Sequence, residues 1–310
     1  MKKIVFDSDA DGIFAAYIWL AENNPASYSL CPVPVGEAAP VADDNSDEVV
    51  LIDKSATQSL ELIMHELEKG KHVSVVDHHV APGNLREKGV DIADVDKKHC
   101  TASYLNERHG NKYRTLASIA SVADNVAVRN ELTQGMAEED IGRFRCIGEL
   151  LKYNGMGKHV VSPAVLLSRL CDANGNLDEF MASSEIGLIA EKYNAAMEKL
   201  EPALTEASTN IEPVNVVLLP EGEDYQKLFP VCATRLQEMY PQCTHLVMVP
   251  AAGGGYSTSI RAPKDASRIA ALFGGSGRAT SAGARIYLDK CGGIEGVKAM
   301  IREELKNGTN

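Results

Sequence analysis

The sequence lacks long hydrophobic runs, and no stretch approaches the roughly 20 apolar residues that a membrane-spanning helix needs. Its seven cysteines are scattered along the chain and form no C-x-x-C pair. This pattern argues against a disulfide framework and against a structural zinc site. Scattered free cysteines are typical of a reducing compartment, so we predict a cytoplasmic protein that makes no membrane contact.

Positive charge and aromatic side chains are scarce too. Lysine and arginine total 31 against 43 aspartates and glutamates, which gives a net charge of −12, and aromatic residues make up 5% of the chain. Proteins that hold long nucleic acid usually present a broad basic surface. We therefore expect no stable complex with long nucleic acid, and a small or terminal anionic ligand fits the composition better.

Short apolar runs alternate with helical patterns in the N-terminal half of the chain. The runs that predict strands are 3–6, 28–35, 48–52 and 72–76, and the patterns that predict helices are 12–22 and 57–69. Alternation of this kind predicts a parallel sheet with helices on both faces. From about residue 99 to residue 181 the pattern becomes helical.

A long helical stretch over 182–207 follows, and a second set of strand and helix patterns comes after it. We therefore predict an α/β protein in two parts. A parallel-sheet N-terminal domain with flanking helices takes residues 1–185, and a smaller α/β domain takes residues 210–310. A helical linker over 186–209 joins them.

Carboxylates and imidazoles follow the apolar runs of the N-terminal half. They are Asp7, Asp9 and Asp11, then Asp53, then Asp77-His78-His79, and finally Asp124 after the apolar residues 118–123. The carboxyl ends of parallel strands meet at one edge of a sheet, where ligands bind. Carboxylates with imidazole suit manganese or a similar divalent ion. Two such ions about 3.5–4 Å apart are a common device for hydrolysing phosphate esters.

Each of these residues also has a plainer interpretation. The Asp7-x-Asp9-x-Asp11-Gly12 run resembles the start of a calcium loop, but its twelfth position is Ile18 where that loop needs glutamate. We instead expect Gly12 to let the backbone turn sharply. Asp94 and Asp96 compete with Asp124 as the last carboxylate but follow no apolar run. His78 is assigned to a metal and His79 to a second ligand or the substrate, and a structural histidine stays open for either.

A loop of small residues over 273–283 carries one arginine, Arg278, and Arg261 lies nearby in sequence. Glycine loops expose backbone N–H groups that cradle anions, and arginine binds phosphate through two parallel hydrogen bonds. The alternative is a tight structural turn. The residues predicted to bind substrate are Arg261, Gly275, Ser276, Gly277 and Arg278. The nearest candidates for base stacking are Tyr256 and Phe273.

These segments together resemble the DHH phosphoesterase superfamily. The matching motifs are Asp7-Ser8-Asp9-Ala10-Asp11-Gly12, Leu51-Ile52-Asp53, Asp77-His78-His79, Val122-Ala123-Asp124-Asn125 and the loop Gly275–Gly283. The resemblance covers nearly the whole chain and implies two lobes around a cleft, with two Mn²⁺ ions in the first. Ser276 and Arg278 stand where the family loop usually has glycine and histidine, which leaves substrate choice in doubt.

The resemblance implies a manganese-dependent phosphoesterase in which a hydroxide bridging two ions attacks phosphorus. The predicted metal ligands are Asp7, Asp9, Asp11, Asp53, His78 and Asp124. Asp53 would bridge the ions and, with His79, forms the predicted catalytic pair. Mg²⁺ and Co²⁺ are alternatives to Mn²⁺.

Short oligonucleotides or small phosphorylated nucleotides are the expected substrates, as in the family's exonucleases. The alternatives are an exopolyphosphatase that acts on inorganic polyphosphate and an inactive nucleotide-binding protein. The sequence leaves the oligomeric state open, including a homodimer.

Overall fold

The computed structural model describes residues 1–42, 44–209 and 211–307. The chain divides into two compact units, Met1–Lys192 and Tyr193–Asn310. The predicted start of the second domain at residue 210 and its last three residues lie outside the described residues. The division falls within one 26-residue helix, so the predicted limits of 1–185 and 210–310 stay a prediction.

A five-stranded parallel sheet forms the centre of the first unit. Its strands are β1 (Lys2–Asp7), β2 (Tyr28–Val33), β3 (Glu48–Ile52), β4 (His72–Val76) and β5 (Asp91–Ile92). They are arranged in the order β2-β1-β3-β4-β5, and every neighbouring pair is parallel. The prediction of a parallel sheet is therefore confirmed. Pro32 is tolerated in β2 because β2 is an edge strand, where a missing N–H costs no ladder bond.

Both faces of the central strands β1 and β3 are buried, as their continuous apolar residues require. On one face Val5, Leu51 and Val75 form a hydrophobic cluster with Leu62 and Ile63 of the helix that follows β3. The alternating residues of β1 and β3 are fully buried as well, and the first helix packs against these two strands. That first helix is buried along most of its length, because further helices pack against it from the other side.

The helices of the first unit, the last of which continues into the second unit, lie in the segments predicted to be helical. They are α1 (Ala10–Asn23), α2 (Leu60–Glu68), α3 (Thr101–Arg108), α4 (Arg114–Asp124), α5 (Arg129–Leu132), α6 (Glu138–Gly155), α7 (Pro163–Asp172), α8 (Leu177–Met181) and α9 (Ser184–Thr209), with a short 3₁₀ turn at Arg86–Lys88. No helix of the described residues is long and apolar enough to span a membrane.

The second unit contains a mixed sheet. Its elements after α9 are β6 (Val214–Leu218), α10 (Glu223–Met239), β7 (Thr244–Pro250), β8 (Tyr256–Arg261), α11 (Ala266–Ala271), β9 (Ser276–Gly277), β10 (Ser281–Ile286), α12 (Leu288–Cys291) and α13 (Gly293–Asn307). The strand order is β6-β7-β8-β10-β9, with β6 and β7 parallel and the remaining pairs antiparallel. Its α/β character is confirmed, whereas α10 and β10 were not predicted from the sequence.

Candidate metal centre

The strand register of the first sheet aligns three of the predicted segments. Ile52 at the end of β3 pairs with Phe6 of β1 on one side and with Val76 of β4 on the other. The next residues along each strand, Asp7, Asp53 and Asp77, therefore lie side by side at the carboxyl edge. From β1 the chain first adds β2 on one side and then β3 on the other, so the strand order reverses between β1 and β3. Ligands bind at such a switch point.

Close backbone packing shapes the turn from β1 into α1. The Asp9 side chain caps α1 by accepting hydrogen bonds from the N–H groups of Asp11 and Gly12. A Cβ on Gly12 would lie 2.1 Å from the Asp7 carbonyl oxygen, and one on Gly155 would lie 2.5 Å from the Ser8 carbonyl oxygen. Gly12 is helical, so this close approach, and not an unusual turn conformation as we expected, explains the glycine.

Asp53 occupies the middle of the carboxyl edge in an uncommon backbone conformation. Its φ is +53°, in the left-handed region that aspartate and asparagine tolerate better than most residues. Its Oδ1 accepts a hydrogen bond of 2.9 Å from the Thr101 hydroxyl, and His78 Nε2 lies 3.5 Å from the same oxygen. The carboxylate is almost completely buried.

Asp124 reaches the site from a helix. The sequence left open whether its apolar segment is helical or a strand end, and Asp124 is the last residue of α4. Its Oδ2 lies 3.4 Å from His78 Nε2. A Cβ on Gly148 of α6 would lie 2.5 Å from the Ala123 Cβ, so this glycine lets α6 approach α4 beside Asp124. A carboxylate at a helix C-terminus is repelled by the helix dipole, so a cation beside Asp124 would stabilise it.

Asp11 connects the site to the start of α3. Its two oxygens accept hydrogen bonds of 2.8 and 2.7 Å from the backbone N–H groups of Thr101 and Ala102. Each oxygen keeps a second lone pair that can bind a ligand. Thr101 thus contacts both Asp11 and Asp53, although nothing in the sequence pattern marked it.

Two groups of donor atoms result, and they share His78. One contains Asp53, Asp77, His78 and His79, and the other contains Asp11, His78 and Asp124, with all donor atoms of each group within 4.8 Å of one another. Among the described residues, Asp7 and Asp9 join neither group. Asp77 does join one, although we did not include it among the predicted ligands. Its place directly after β4, equivalent to that of Asp53 after β3, was the signal that could have identified it.

Burial and crowding of like charges disturb the acid–base properties of the centre. Burial, followed by the charge of Asp7, raises the pKa of Asp9 to about 7. Burial and the neighbouring aspartates also raise the pKa of Asp53 well above its ordinary value. Burial alone would lower the pKa of His79, but a 2.7 Å contact with the Asp77 carboxylate raises it. The site thus holds more negative charge than its own cations neutralise.

The donor set fits hard divalent cations. It consists of carboxylate oxygens and imidazole nitrogens, with no thiolate in either group. Carboxylates suit magnesium and manganese, and imidazole adds affinity for transition metals. A divalent ion bound among these buried aspartates would neutralise their excess negative charge.

Solved structures resemble the chain over nearly its full length, although no family model and no curated protein matches it. A DHH domain of the protein PF0399 aligns with a TM-score of 0.65 and 15% identity over 98% of this chain and 86% of that chain. Manganese-bound exonuclease RecJ aligns with a TM-score of 0.58 and 19% identity over 96% of this chain and 88% of that chain. The pGpG-specific phosphodiesterase PggH of Vibrio cholerae gives a TM-score of 0.55 and 12% identity over 99% of both chains.

The chain has the DHH phosphoesterase fold.

The second unit of this DHH-fold chain contains the predicted substrate residues. The segment predicted as a small-residue loop is largely a hairpin, in which Gly277 of β9 pairs with Ala282 of β10. A Cβ on Gly275 would lie 2.2 Å from the Gly283 carbonyl oxygen, and one on Gly277 would lie 2.4 Å from the Ala282 Cα. These glycines are therefore needed for close strand packing, which agrees with the alternative interpretation of this segment as a tight structural turn. Ser276 lies in β9, and Arg278 begins the turn and donates its N–H to the Ser281 carbonyl at 2.7 Å.

Arg261 ends β8 beside this hairpin. Its guanidinium donates to the hydroxyls of Thr234 and Ser259 and to the Ile260 carbonyl. Burial, followed by the charge of Arg278, lowers the pKa of Arg261 to about 10. Within the described part of the chain no carboxylate forms an ion pair with Arg261. A half-buried arginine with only neutral partners, close to a second arginine, favours an anion at this hairpin of the DHH-fold chain.

Proposed function

We propose that the chain is a divalent-metal-dependent phosphoesterase. The observation that carries this proposal is the pair of donor groups that share His78 at the carboxyl edge of the sheet. Such a pair suits two-metal hydrolysis of phosphate esters, and the DHH fold it occurs in is shared with an exonuclease and a phosphodiesterase.

The residues proposed to hold the ions are Asp11, Asp53, Asp77, His78 and Asp124. His78 is central because it belongs to both groups, and Asp53 contacts it, with Oδ1 3.5 Å from His78 Nε2. Asp9 lies close enough for the charges of Asp124 and Asp11 to raise its pKa. Mn²⁺ is the proposed ion, as in the RecJ structure. Bound divalent ions supply a water of lowered pKa and positive charge for the phosphoryl oxygens.

His79 is proposed to contact the scissile phosphate. Its side chain is 48% exposed. The Asp77 side chain is buried, and its Oδ1 lies 2.7 Å from His79 Nδ1. The raised pKa favours the imidazolium, whose second N–H can donate to a phosphoryl oxygen as negative charge develops. Asp77 fixes the orientation of the ring, so that no ordering of this side chain is needed at the moment of reaction.

Short oligonucleotides or small phosphorylated nucleotides are the proposed substrates. Arg261 and Arg278 supply cationic groups for a terminal phosphate in the second unit, and the similar proteins include an exonuclease and a pGpG-specific enzyme. The net charge of −12 agrees with a short substrate, because long strands need a broad basic surface.

Inorganic polyphosphate is the second candidate, and one observation favours it. The two residues considered for base stacking, Tyr256 and Phe273, pack against the hydrophobic core of the second unit. Trp19, the only tryptophan of the chain, is buried in α1. These side chains therefore offer little open surface on which a base could stack, and polyphosphate needs none.

A matched substrate panel with Mn²⁺ tests the proposal. It contains a labelled dinucleotide, a longer oligonucleotide, pAp, a cyclic dinucleotide and polyphosphate, and it measures release of phosphate and nucleotide. We expect cleavage of the short nucleotides, with the longer oligonucleotide slower. Release from polyphosphate alone would favour the second candidate. A metal-loaded protein that cleaves no phosphoester in the panel would contradict the proposal.

Thr101→Val should weaken Mn²⁺ binding by about tenfold, because residues that orient metal ligands typically contribute 10–100-fold to affinity. The substitution removes the hydroxyl that holds Asp53 but keeps the backbone N–H that holds Asp11. Isothermal titration with Mn²⁺ measures the change.

Thr101→Ser keeps the hydroxyl and should restore the affinity. Thr57→Val provides the control, because the Thr57 hydroxyl is exposed and donates to the Val80 carbonyl. Equal Mn²⁺ affinities for the wild type and Thr101→Val would show that Thr101 does not position Asp53.

A further inference from the structure

Lys54 places a buried positive charge beside the aspartates at the carboxyl edge of the first sheet. It follows Asp53 directly, and its side chain has no exposed surface. Its Nζ lies 3.5 Å from Asp7 Oδ2 and 3.5 Å from the Pro34 carbonyl oxygen. These are its polar contacts in the part of the chain that the structure describes. Burying an ammonium group costs much free energy unless an opposite charge compensates it, so Asp7 is the partner that explains its position.

Asp7 differs from Asp53 and Asp77, the aspartates at the ends of the neighbouring strands, in its contacts. Although it lies beside Asp53 in the sheet register, it joins neither group of donor atoms within the described ranges. Of its two oxygens, Oδ1 accepts the Ser8 N–H at 2.8 Å and Oδ2 faces Lys54. The hydrogen bonds and charge around Asp7 are thus arranged for an ammonium group.

We propose that Lys54 is a permanent cation at the carboxyl edge of the first sheet. Its ammonium group neutralises the charge of Asp7, so that Asp7 cannot bind a divalent ion with a full negative charge. The inference rests on the metal centre of the proposed function. It assigns Asp7 to Lys54, whereas the sequence assigned Asp7 to a metal.

Two opposite effects follow from this arrangement. With no metal bound, the ammonium reduces repulsion among the aspartates and stabilises the first unit. With metal bound, the same charge repels the ion, and burial leaves that repulsion poorly screened. A lysine with a purely structural role would stabilise the protein without opposing the ion.

Lys54→Met separates these interpretations, because it removes the charge and keeps an apolar stem. We expect a lower unfolding temperature in chelator and a Kd for Mn²⁺ that is at least about tenfold tighter, since losing a poorly screened unit charge and freeing the charge of Asp7 contribute energies of this size. Isothermal titration and thermal unfolding with and without Mn²⁺ give the two readouts. Lys54→Gln keeps a hydrogen-bond donor without the charge and should tighten binding in the same way, even if Lys54→Met folds poorly.

Lys3→Met is the matched control. Lys3 is also a buried lysine of the first unit, but its Nζ contacts Asp44 Oδ2 at 2.9 Å and it lies near the opposite end of β1. It should lower the unfolding temperature and leave the Mn²⁺ affinity unchanged. Lys54 variants that bind Mn²⁺ no more tightly than a Mn²⁺-binding wild type would overturn the role of Lys54 alone. If neither the wild type nor the variants bind Mn²⁺, the metal centre itself fails, and with it the proposed function.

Discussion

Replacing Asp53 with asparagine is expected to abolish phosphoester hydrolysis while the first unit stays folded. The Asp53 carboxylate contacts both His78 and Thr101, and its donor atoms belong to a group that we propose holds a divalent ion. Losing a central metal ligand removes several kcal/mol of charge stabilisation, which corresponds to a decrease in kcat on the order of 10³-fold or more. Steady-state kinetics on the best substrate of the panel measure it.

Asparagine is the right replacement because of the backbone at this position. With φ at +53°, an alanine would add a conformational cost of roughly 1–2 kcal/mol, which asparagine largely avoids. Because asparagine also removes one negative charge from a crowded cluster, the metal-free variant should unfold at the same temperature as the wild type or higher. Loss of activity can then be separated from loss of structure.

Asp94→Asn is the matched control for this experiment. Asp94 is an exposed aspartate of the same unit that pairs with Arg86 and belongs to neither donor group. It should keep wild-type activity. An Asp53→Asn enzyme that retains more than about a tenth of the wild-type kcat would contradict the metal-ligand assignment, because that decrease equals only 1.36 kcal/mol.

Removing divalent ions is expected to lower the unfolding temperature of the first unit by about 5–10 °C. An ion present at about 100 times its Kd stabilises the folded state by about 2.7 kcal/mol. For a unit of this size each kcal/mol shifts the unfolding temperature by about 2–4 °C. Thermal unfolding monitored by circular dichroism, in Mn²⁺ and in EDTA, measures the difference.

The same measurement has a predicted pH dependence. In the metal-free protein the pKa of Asp9 is about 7, above its ordinary value of 3.8. The folded state therefore binds more protons than the unfolded state between these values, and its stability falls as the pH rises through this range. The stabilisation by Mn²⁺ should increase over the same range, because the negative charge that Asp9 gains beside Asp11 and Asp124 attracts the ion.

Asp53→Asn should show a much smaller response to Mn²⁺ and EDTA, whereas Asp94→Asn should respond like the wild type. An unfolding temperature that is identical in Mn²⁺ and in EDTA would contradict the proposed metal centre. A metal-free protein that becomes more stable as the pH rises from about 4 to about 7 would contradict the crowding of buried carboxylates.

Local patterns in the sequence determined the fold class and most of the candidate site. Apolar runs of strand length, alternating with helical periods, predicted the parallel sheet. Because parallel strands end at one edge, the acidic residues after those runs predicted that Asp53, His78 and their neighbours would meet. The order of the motifs predicted the DHH fold. Each of these inferences depends on spacing within one segment or on one simple rule of sheet geometry.

Only the tertiary structure decided which side chains surround those carboxylates. It placed Asp124 at the end of a helix, brought Thr101 to Asp53 across 48 residues of sequence, and buried Lys54 against Asp7. It also converted the predicted glycine loop into a hairpin. These contacts depend on how distant segments pack, and periodicity within one segment carries no information about its distant partners. The sequence alone therefore predicted where the candidate metal centre lies, and tertiary packing decided which side chains contact each of its carboxylates.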